Sequence, residues 1–375
     1  MVKADRVKTT FVDLIRINSP SKSERGVADY VKAKLARLGF SVEEDDAGGK
    51  IGGTAGNVIA FKPGAAAAGV PIFLCCHMDT VEATEKLKVI DDGGELRSDG
   101  STILGADDKA GIAAVLEGLE SVLESGAPHG DVQVLFDASE EIGLLGAKAM
   151  DHSKIKARMG YVFDTEKPVA GITVSAPSHQ TMTVEITGKA AHAGIAPEKG
   201  ISAVVAASRA IAKMRLGRID EETTANVGRI EGGKARNIIP EHVTVTAEAR
   251  SRSEQKLVEQ VEHMKRLFEE EASAIGASAQ VLTEREYSGY RWSEDDEVVG
   301  LAARAARRIG IEPVMVEGGG GSDANIFNAA GIPAVVVGVG YEGAHSSSEH
   351  LSIADLAKTA QFAEALILTA AEFEG

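Results

Sequence analysis

The sequence predicts an α/β fold interrupted by an inserted ferredoxin-like domain, and three observations predict it. From the start to about Pro177 the chain alternates helix and strand patterns. From Thr181 the pattern becomes strand, helix, two strands, helix, strand, which is the βαββαβ order of ferredoxin-like domains. The α/β alternation then resumes and runs to the C-terminus. The expected boundaries are 1–177 for the first part of a discontinuous domain, 178–288 for the insertion, and 289–375 for the second part.

The elements follow in order. Ser21-Lys22-Ser23-Glu24 reads as a capping box that opens a helix through Leu38, and Gly39 ends it. Ala65–Ala68 reads as a surface loop. The apolar run Pro71–Cys75 is a short buried strand, followed by Cys76-His77-Met78-Asp79. Ala110–Ser125 is an alanine-rich helix, and Val132–Phe136 and Val162–Phe163 are further short strands. Inside the insertion, Thr181–Thr187 alternates as a half-exposed strand and Ile201–Met214 is a helix. Strands at Thr224–Ile230 and Val243–Arg250, a helix from Ser253 to about Ala274, and a strand near Gln280–Thr283 complete it. Helix Val298–Ile309 and strand Val314–Val316 resume the first pattern.

A chain of 375 residues is long enough for two domains with real cores. A net charge of −16 argues against a nucleic-acid partner, which would require a basic face. No apolar run is long enough to span a membrane, and Met1–Arg6 leads into an amphipathic helix without the apolar core of a signal peptide. The two cysteines, Cys75 and Cys76, are adjacent and read as small buried hydrophobes. A reduced, cytoplasmic location is the expectation.

Candidate chemistry concentrates at strand ends. His77 and Asp79 lie two residues apart, so their side chains point the same way. Asp107 sits in the glycine-flanked stretch Gly105–Gly111, Glu140 and Glu141 follow the strand ending at Phe136, and Asp164 follows Phe163. Adjacent carboxylates repel each other unless a cation lies nearby. In an open α/β sheet the carboxyl ends of the strands line the ligand crevice. Histidines and carboxylates in this mix are what a paired divalent-metal site requires, and such sites hydrolyse amides, esters or phosphates.

The ordered set His77-Met78-Asp79-Thr80-Val81, Gly105-Ala106-Asp107-Asp108-Lys109, Glu140-Glu141, Asp164 and His345 resembles the motifs of the M20 family of co-catalytic zinc peptidases, in its peptidase T-like aminopeptidase branch. The resemblance covers essentially the whole chain. It implies a catalytic domain with a mixed sheet flanked by helices and a lid or dimerisation domain inserted in it. By this resemblance His77 and Asp164 would bind one zinc, Glu141 and His345 the other, and Asp107 would bridge both; cobalt or manganese are alternative metals. Glu140 would be the general base on the attacking water, and Asp79 would orient the His77 ring. The substrate would be a short peptide, and the lid could form a homodimer.

The insertion carries Gly188-Lys189-Ala190-Ala191-His192-Ala193-Gly194. His192 could be a solvated loop residue; the resemblance implies that it stabilises the oxyanion, from either its own or a partner subunit. Asn237 and Arg250 are candidates for the polar ends of the substrate, although Arg250 also reads as an ordinary strand arginine. The run Gly318–Gly321 followed by Ser322-Asp323 has no phosphate-loop lysine, so it reads as a loop that lets substrate approach the backbone, with Gly320, Gly321, Ser322 and Asp323 as contacts. Peptidase T-like enzymes are expected to carry an arginine where this chain has Gly319, so strict tripeptidase specificity is in doubt. The competing readings are another M20 amidohydrolase, such as a carboxypeptidase or N-acyl amino acid deacylase, and a non-catalytic metal-binding or scaffold protein.

Overall fold

The computed structural model describes residues 1–64 and 69–373; the expected Ala65–Ala68 loop lies outside the described residues. The chain divides into two compact units. One comprises Met1–Val174, Arg291–Glu317 and Ser322–Gly375, and the other comprises Ser175–Tyr290 with Gly318–Gly321. The glycine run therefore groups with the smaller unit, whereas Ser322 and Asp323 belong to the larger.

The larger unit is built on a mixed sheet whose strands include, in order, Ser41–Glu44, Val58–Lys62, Val132–Asp137, Ile72–His77, Met159–Phe163 and Ala334–Val337, followed by Ile172–Ala176 as far as Val174. The four strands from Val132–Asp137 to Ala334–Val337 are mutually parallel, so their carboxyl ends share one edge. Helices cover both faces of this sheet. The Phe73 ring meets Phe327 of the helix Asp323–Ala329 at 4.9 Å, while Ile72 and Leu74 point into the opposite core with Ala113 and Leu116. Burial on both faces explains why Ile72–His77 reads as a continuous apolar run without alternation. Two glycines make this packing possible. A Cβ on Gly160 would lie 1.9 Å from the Phe73 ring, and one on Gly111 would lie 2.6 Å from the Phe163 carbonyl oxygen. The second close approach brings the helix Ala106–Ser125 against the strand end that leads to Asp164.

A small sheet of Tyr341–Glu342, His350–Ser352, Glu95–Ser98 and Val89–Asp91 belongs to the same unit. The expected capping box is not there. The helix spans Arg25–Arg37 with no side-chain cap. The Glu24 carboxylate instead accepts the Lys22 N–H and the Ser139 hydroxyl, both at 2.7 Å, and Ser21 donates to Asp79 at 2.6 Å. These side chains face inward, and a buried carboxylate takes the strongest donors within reach.

The smaller unit is an antiparallel sheet ordered Gly217–Arg218, Thr223–Gly232, His242–Ser251, Ser178–Thr187 and Ser278–Tyr287. Two helices, Ala203–Ile211 and Glu254–Ser273, pack on it, capped by Ser202 and Ser253. Omitting the short Gly217–Arg218 strand, the sheet has a ferredoxin-like strand order. Its core, including Val184, Ile186, Val245, Leu257 and Phe268, lies on one face of the sheet, and burial alternates along His242–Ser251 accordingly. Among the described residues no helix is long and apolar enough to cross a membrane.

Candidate metal centre

The parallel strands deliver the candidate ligands to one edge. His77 ends Ile72–His77, Asp164 follows Met159–Phe163, and Glu140 and Glu141 follow Val132–Asp137. Asp107 enters from the start of Ala106–Ser125, in a non-helical conformation at φ −79° and ψ 107°. His77 Nε2 stands 3.1 Å from Asp107 Oδ1 and 3.5 Å from Asp164 Oδ1. His345 Nε2 stands 3.3 Å from Asp107 Oδ2 and 3.0 Å from Glu141 Oε2. Each imidazole thus faces two carboxylates, and Asp107 is common to both through its separate oxygens. The compact groups are His77–Asp107–Asp164 and Asp107–Glu141–His345; Glu140 belongs to neither.

The electrostatics match a centre that holds cationic charge. Burial works to lower the His77 pKa, but Asp107, Asp164 and Asp79 raise it well above the ordinary imidazole range. Hydrogen bonding to Asp107 and then Glu141 pushes His345 up to about 10. Burial opposes ionisation of Asp107, yet His345 and His77 hold its carboxyl well below the usual range. Burial pushes Asp164 up to about 6, and burial followed by the charge of Asp164 pushes Glu140 well above the carboxylate range. Glu141 Oε1 is buried with no hydrogen-bond partner. Two imidazoles and three carboxylates, one of them with a bare buried oxygen, form a nitrogen–oxygen donor set suited to a pair of divalent ions, zinc among them. The residues fit the group.

Asp79 serves the site in more than one way. His77 Nδ1 bonds the Asp79 main-chain carbonyl at 3.0 Å, with the Asp79 carboxylate at 3.4 Å, so its proton sits on Nδ1 and Nε2 is free to ligate. The Asp79 carboxylate accepts the backbone N–H groups of Glu140 at 3.0 Å and Glu141 at 3.2 Å. One buried acid therefore fixes the turn that presents both glutamates. Burial opposes its ionisation, but His77 and Ser21 lower its pKa.

In the smaller unit, His192 is exposed, and its Nδ1 accepts the backbone N–H groups of Gly194 and Ile195, both at 3.2 Å. These bonds assign the proton to Nε2, making it a donor. Asn237 lies beside it: its carbonyl accepts the Ala193 N–H at 3.0 Å, and its side chain is exposed. Arg250 is half-buried and paired with Glu248 at 3.1 Å. Gly320 is exposed, and a Cβ on Gly321 would strike the Tyr287 ring at 2.2 Å. In the larger unit Ser322 caps Asp323–Ala329, and the Asp323 carboxyl is buried in a group with Asp137 and Cys75. Ser322 and Asp323 thus do interior work and are not open to substrate as the sequence suggested.

Residues 73–369 match the model of Peptidase family M20/M25/M40. The chain belongs to this family. This M20 peptidase is a hydrolase acting on peptide bonds. It is 44% identical to the protein YqjE of Bacillus subtilis over 99% of its own length and all of that protein. The aminopeptidase PepT from Bacillus cereus superposes with a TM-score of 0.92 at 42% identity, covering 99% of both chains. A tripeptidase from Staphylococcus aureus superposes with a TM-score of 0.94 at 38% identity, covering both chains completely.

Sequence reading of the M20 peptidase missed the residues that support the candidate ligands. Ser21 and Glu24 looked like helix-capping residues, and their spacing gave no sign of their partners Asp79 and Ser139. Tyr341, which donates its hydroxyl to Asp107 Oδ1 at 3.1 Å, had no local signal at all. The only clue for Glu349 was its place four residues after His345.

Proposed function

We propose that this M20 peptidase removes the N-terminal residue from short, unblocked peptides with the help of two divalent metal ions, zinc in the first instance. In this reading His77 and Asp164 hold one ion, Glu141 and His345 the other, and Asp107 both. When bound, the ions polarise the scissile carbonyl and lower the pKa of the attacking water. Glu140 takes the proton from that water and passes it to the departing amine. His192 donates Nε2–H to the oxyanion, while Asn237 and Arg250 address the polar ends of the peptide. Asp164 also leaves negative charge where a free α-amine can be held.

The observation that carries the reading is the sharing of Asp107 between two histidine–carboxylate trios, with Glu140 beside them and outside both. Full-length similarity to an aminopeptidase and a tripeptidase supports the substrate class. With Gly319 where an arginine would grip the peptide carboxylate, the carboxyl end should matter little. The test is a panel of di- and tripeptides with free or acetylated amines and free or amidated carboxyl ends. Unblocked peptides should be hydrolysed faster than N-acetyl forms, and amidation should cost little. Preference for N-acetyl substrates would favour a deacylase, and loss of activity on amidation a carboxypeptidase.

A further inference from the structure

We propose that the loop bearing His345 positions Asp107 through two residues, Tyr341 on its carboxylate and Glu349 on its backbone, and so couples the two metal positions. The proposal rests on the dinuclear reading above. The strands Tyr341–Glu342 and His350–Ser352 pair antiparallel, with Tyr341 opposite Leu351 and Glu342 opposite His350. His345 lies in the connection between them, at φ 61°. Tyr341 and Glu349, at the two ends of that connection, are each 1% exposed. Glu349 Oε2 accepts the Gly105 N–H at 2.7 Å, and Oε1 accepts the Asp107 N–H at 2.9 Å. Tyr341 donates to Asp107 Oδ1 at 3.1 Å.

These contacts supply what the local chain cannot. Asp107 is neither helical nor in a strand, so no regular ladder holds its backbone. Its N–H is buried and would be costly to leave unpaired, as would either oxygen of a carboxylate as deep as Glu349. The Glu349 carboxylate meets both needs at once because it presents two acceptors and no donor. Glutamine would turn an amide N–H₂ toward one of the two backbone N–H groups. Asp107 Oδ1 faces His77 and its Oδ2 faces His345, so freeing this residue releases both positions. Removing a terminal ligand should release one. Tyr341 and Glu349 are positioning residues: they act through Asp107.

The test measures Co²⁺ binding by the full-length protein by equilibrium dialysis, together with the visible spectrum of the bound cobalt. Wild type should bind two ions. Glu349→Gln should weaken binding of both by about 10–100-fold, the usual cost of losing a group that holds a metal ligand in place. Tyr341→Phe keeps the ring and its packing, so it guards against simple misfolding. It should shift the cobalt absorption and weaken both ions by about tenfold. Two variants with wild-type affinity and spectrum would overturn the proposal, as would loss of only one ion in Glu349→Gln. A wild-type protein that binds fewer than two ions would overturn the dinuclear reading itself, and this coupling with it.

Discussion

Two acidic clusters lie close together in the larger unit, and they behave in opposite ways. The outer one gathers His77, Asp107, Asp164, Glu141 and His345; the inner one gathers Cys75, Asp137 and Asp323. The outer cluster contains imidazoles and opens to solvent at His345, whose side chain is 53% exposed. The inner cluster has neither: Cys75 and Asp137 are 0% exposed and Asp323 is 1%. Cys75 Sγ lies 3.3 Å from Asp137 Oδ2, and Oδ1 of both aspartates has no hydrogen-bond partner. In the outer cluster His345 and His77 hold Asp107 below its ordinary pKa and the carboxylates hold His77 above its own, while burial pushes Asp164 up to about 6. In the inner cluster the neutral forms win. Burial pushes Asp137 up to about 7, Asp323 well above the carboxylate range, and the Cys75 thiol up as well. Two buried carboxyls this close disfavour ionisation of both at once. Imidazole partners and access decide whether a cluster keeps its charge for cations or neutralises it with protons.

The comparison can be broken most decisively at Glu140. Glu140→Ala should retain bound metal and lose about 10²–10⁴-fold in turnover, because general-base catalysis contributes that much. Glu141→Ala should lose metal as well as activity. Near-normal turnover in Glu140→Ala, with metal content measured alongside, removes Glu140 from the mechanism. His192→Ala comes next. Loss of an oxyanion donor should depress kcat by about 10²–10³-fold with KM little changed. A raised KM at unchanged kcat would make His192 a binding residue instead.

Metal removal separates the clusters directly. Chelation should abolish activity and lower the unfolding temperature, since ions present at 100 times their Kd stabilise by about 2.7 kcal/mol. Asp137→Asn should leave the metal stoichiometry unchanged, while Asp107→Asn should lower it. Equal losses in both variants would mean that the inner cluster also takes metal.

The smallest effect is a pH slope. The ordinary carboxyl value is 3.8, and burial holds Asp137 at about 7 when folded. Between these values the folded chain binds more protons than the unfolded one, so stability falls as pH rises. The contribution is complete below about pH 4 and is lost as pH passes through 7. With excess chelator in both samples, Asp137→Asn should flatten this slope. Parallel melting curves for the two proteins across that range would show that Asp137 holds no extra proton in the folded chain.

The sequence reading succeeded where function is written into short segments. The strands at Ile72–His77, Val132–Asp137 and Met159–Phe163 were legible because burial on both faces leaves uninterrupted apolar runs, and the acids and His77 that follow stand out against them. The βαββαβ order of the smaller unit was legible because its strands alternate and its helices have one apolar face. The reading failed where a residue's partner is distant in the chain. Ser21 and Glu24 fit a local capping pattern but bond to Asp79 and Ser139, 58 and 115 residues away. Asp323 looked like part of an open loop, whereas its carboxyl belongs to the interior of the larger unit.

By itself the sequence determined which residue types reach the carboxyl edge of the sheet, because strand length and side-chain alternation fix what stands at each strand end. It also determined the family, through ordered motifs whose spacing follows from those strands. Only the tertiary structure decided which carboxylates keep their charge. Glu140 and Glu141 are neighbours in the chain, yet Glu141 faces His345 and Glu140 joins neither trio. Asp107 and Asp137 are both buried aspartates, but two imidazoles hold the pKa of one down, while burial pushes the other up to about 7. Electrostatic environment depends on distances of a few ångströms between residues far apart in sequence, and those distances exist only once the chain has folded.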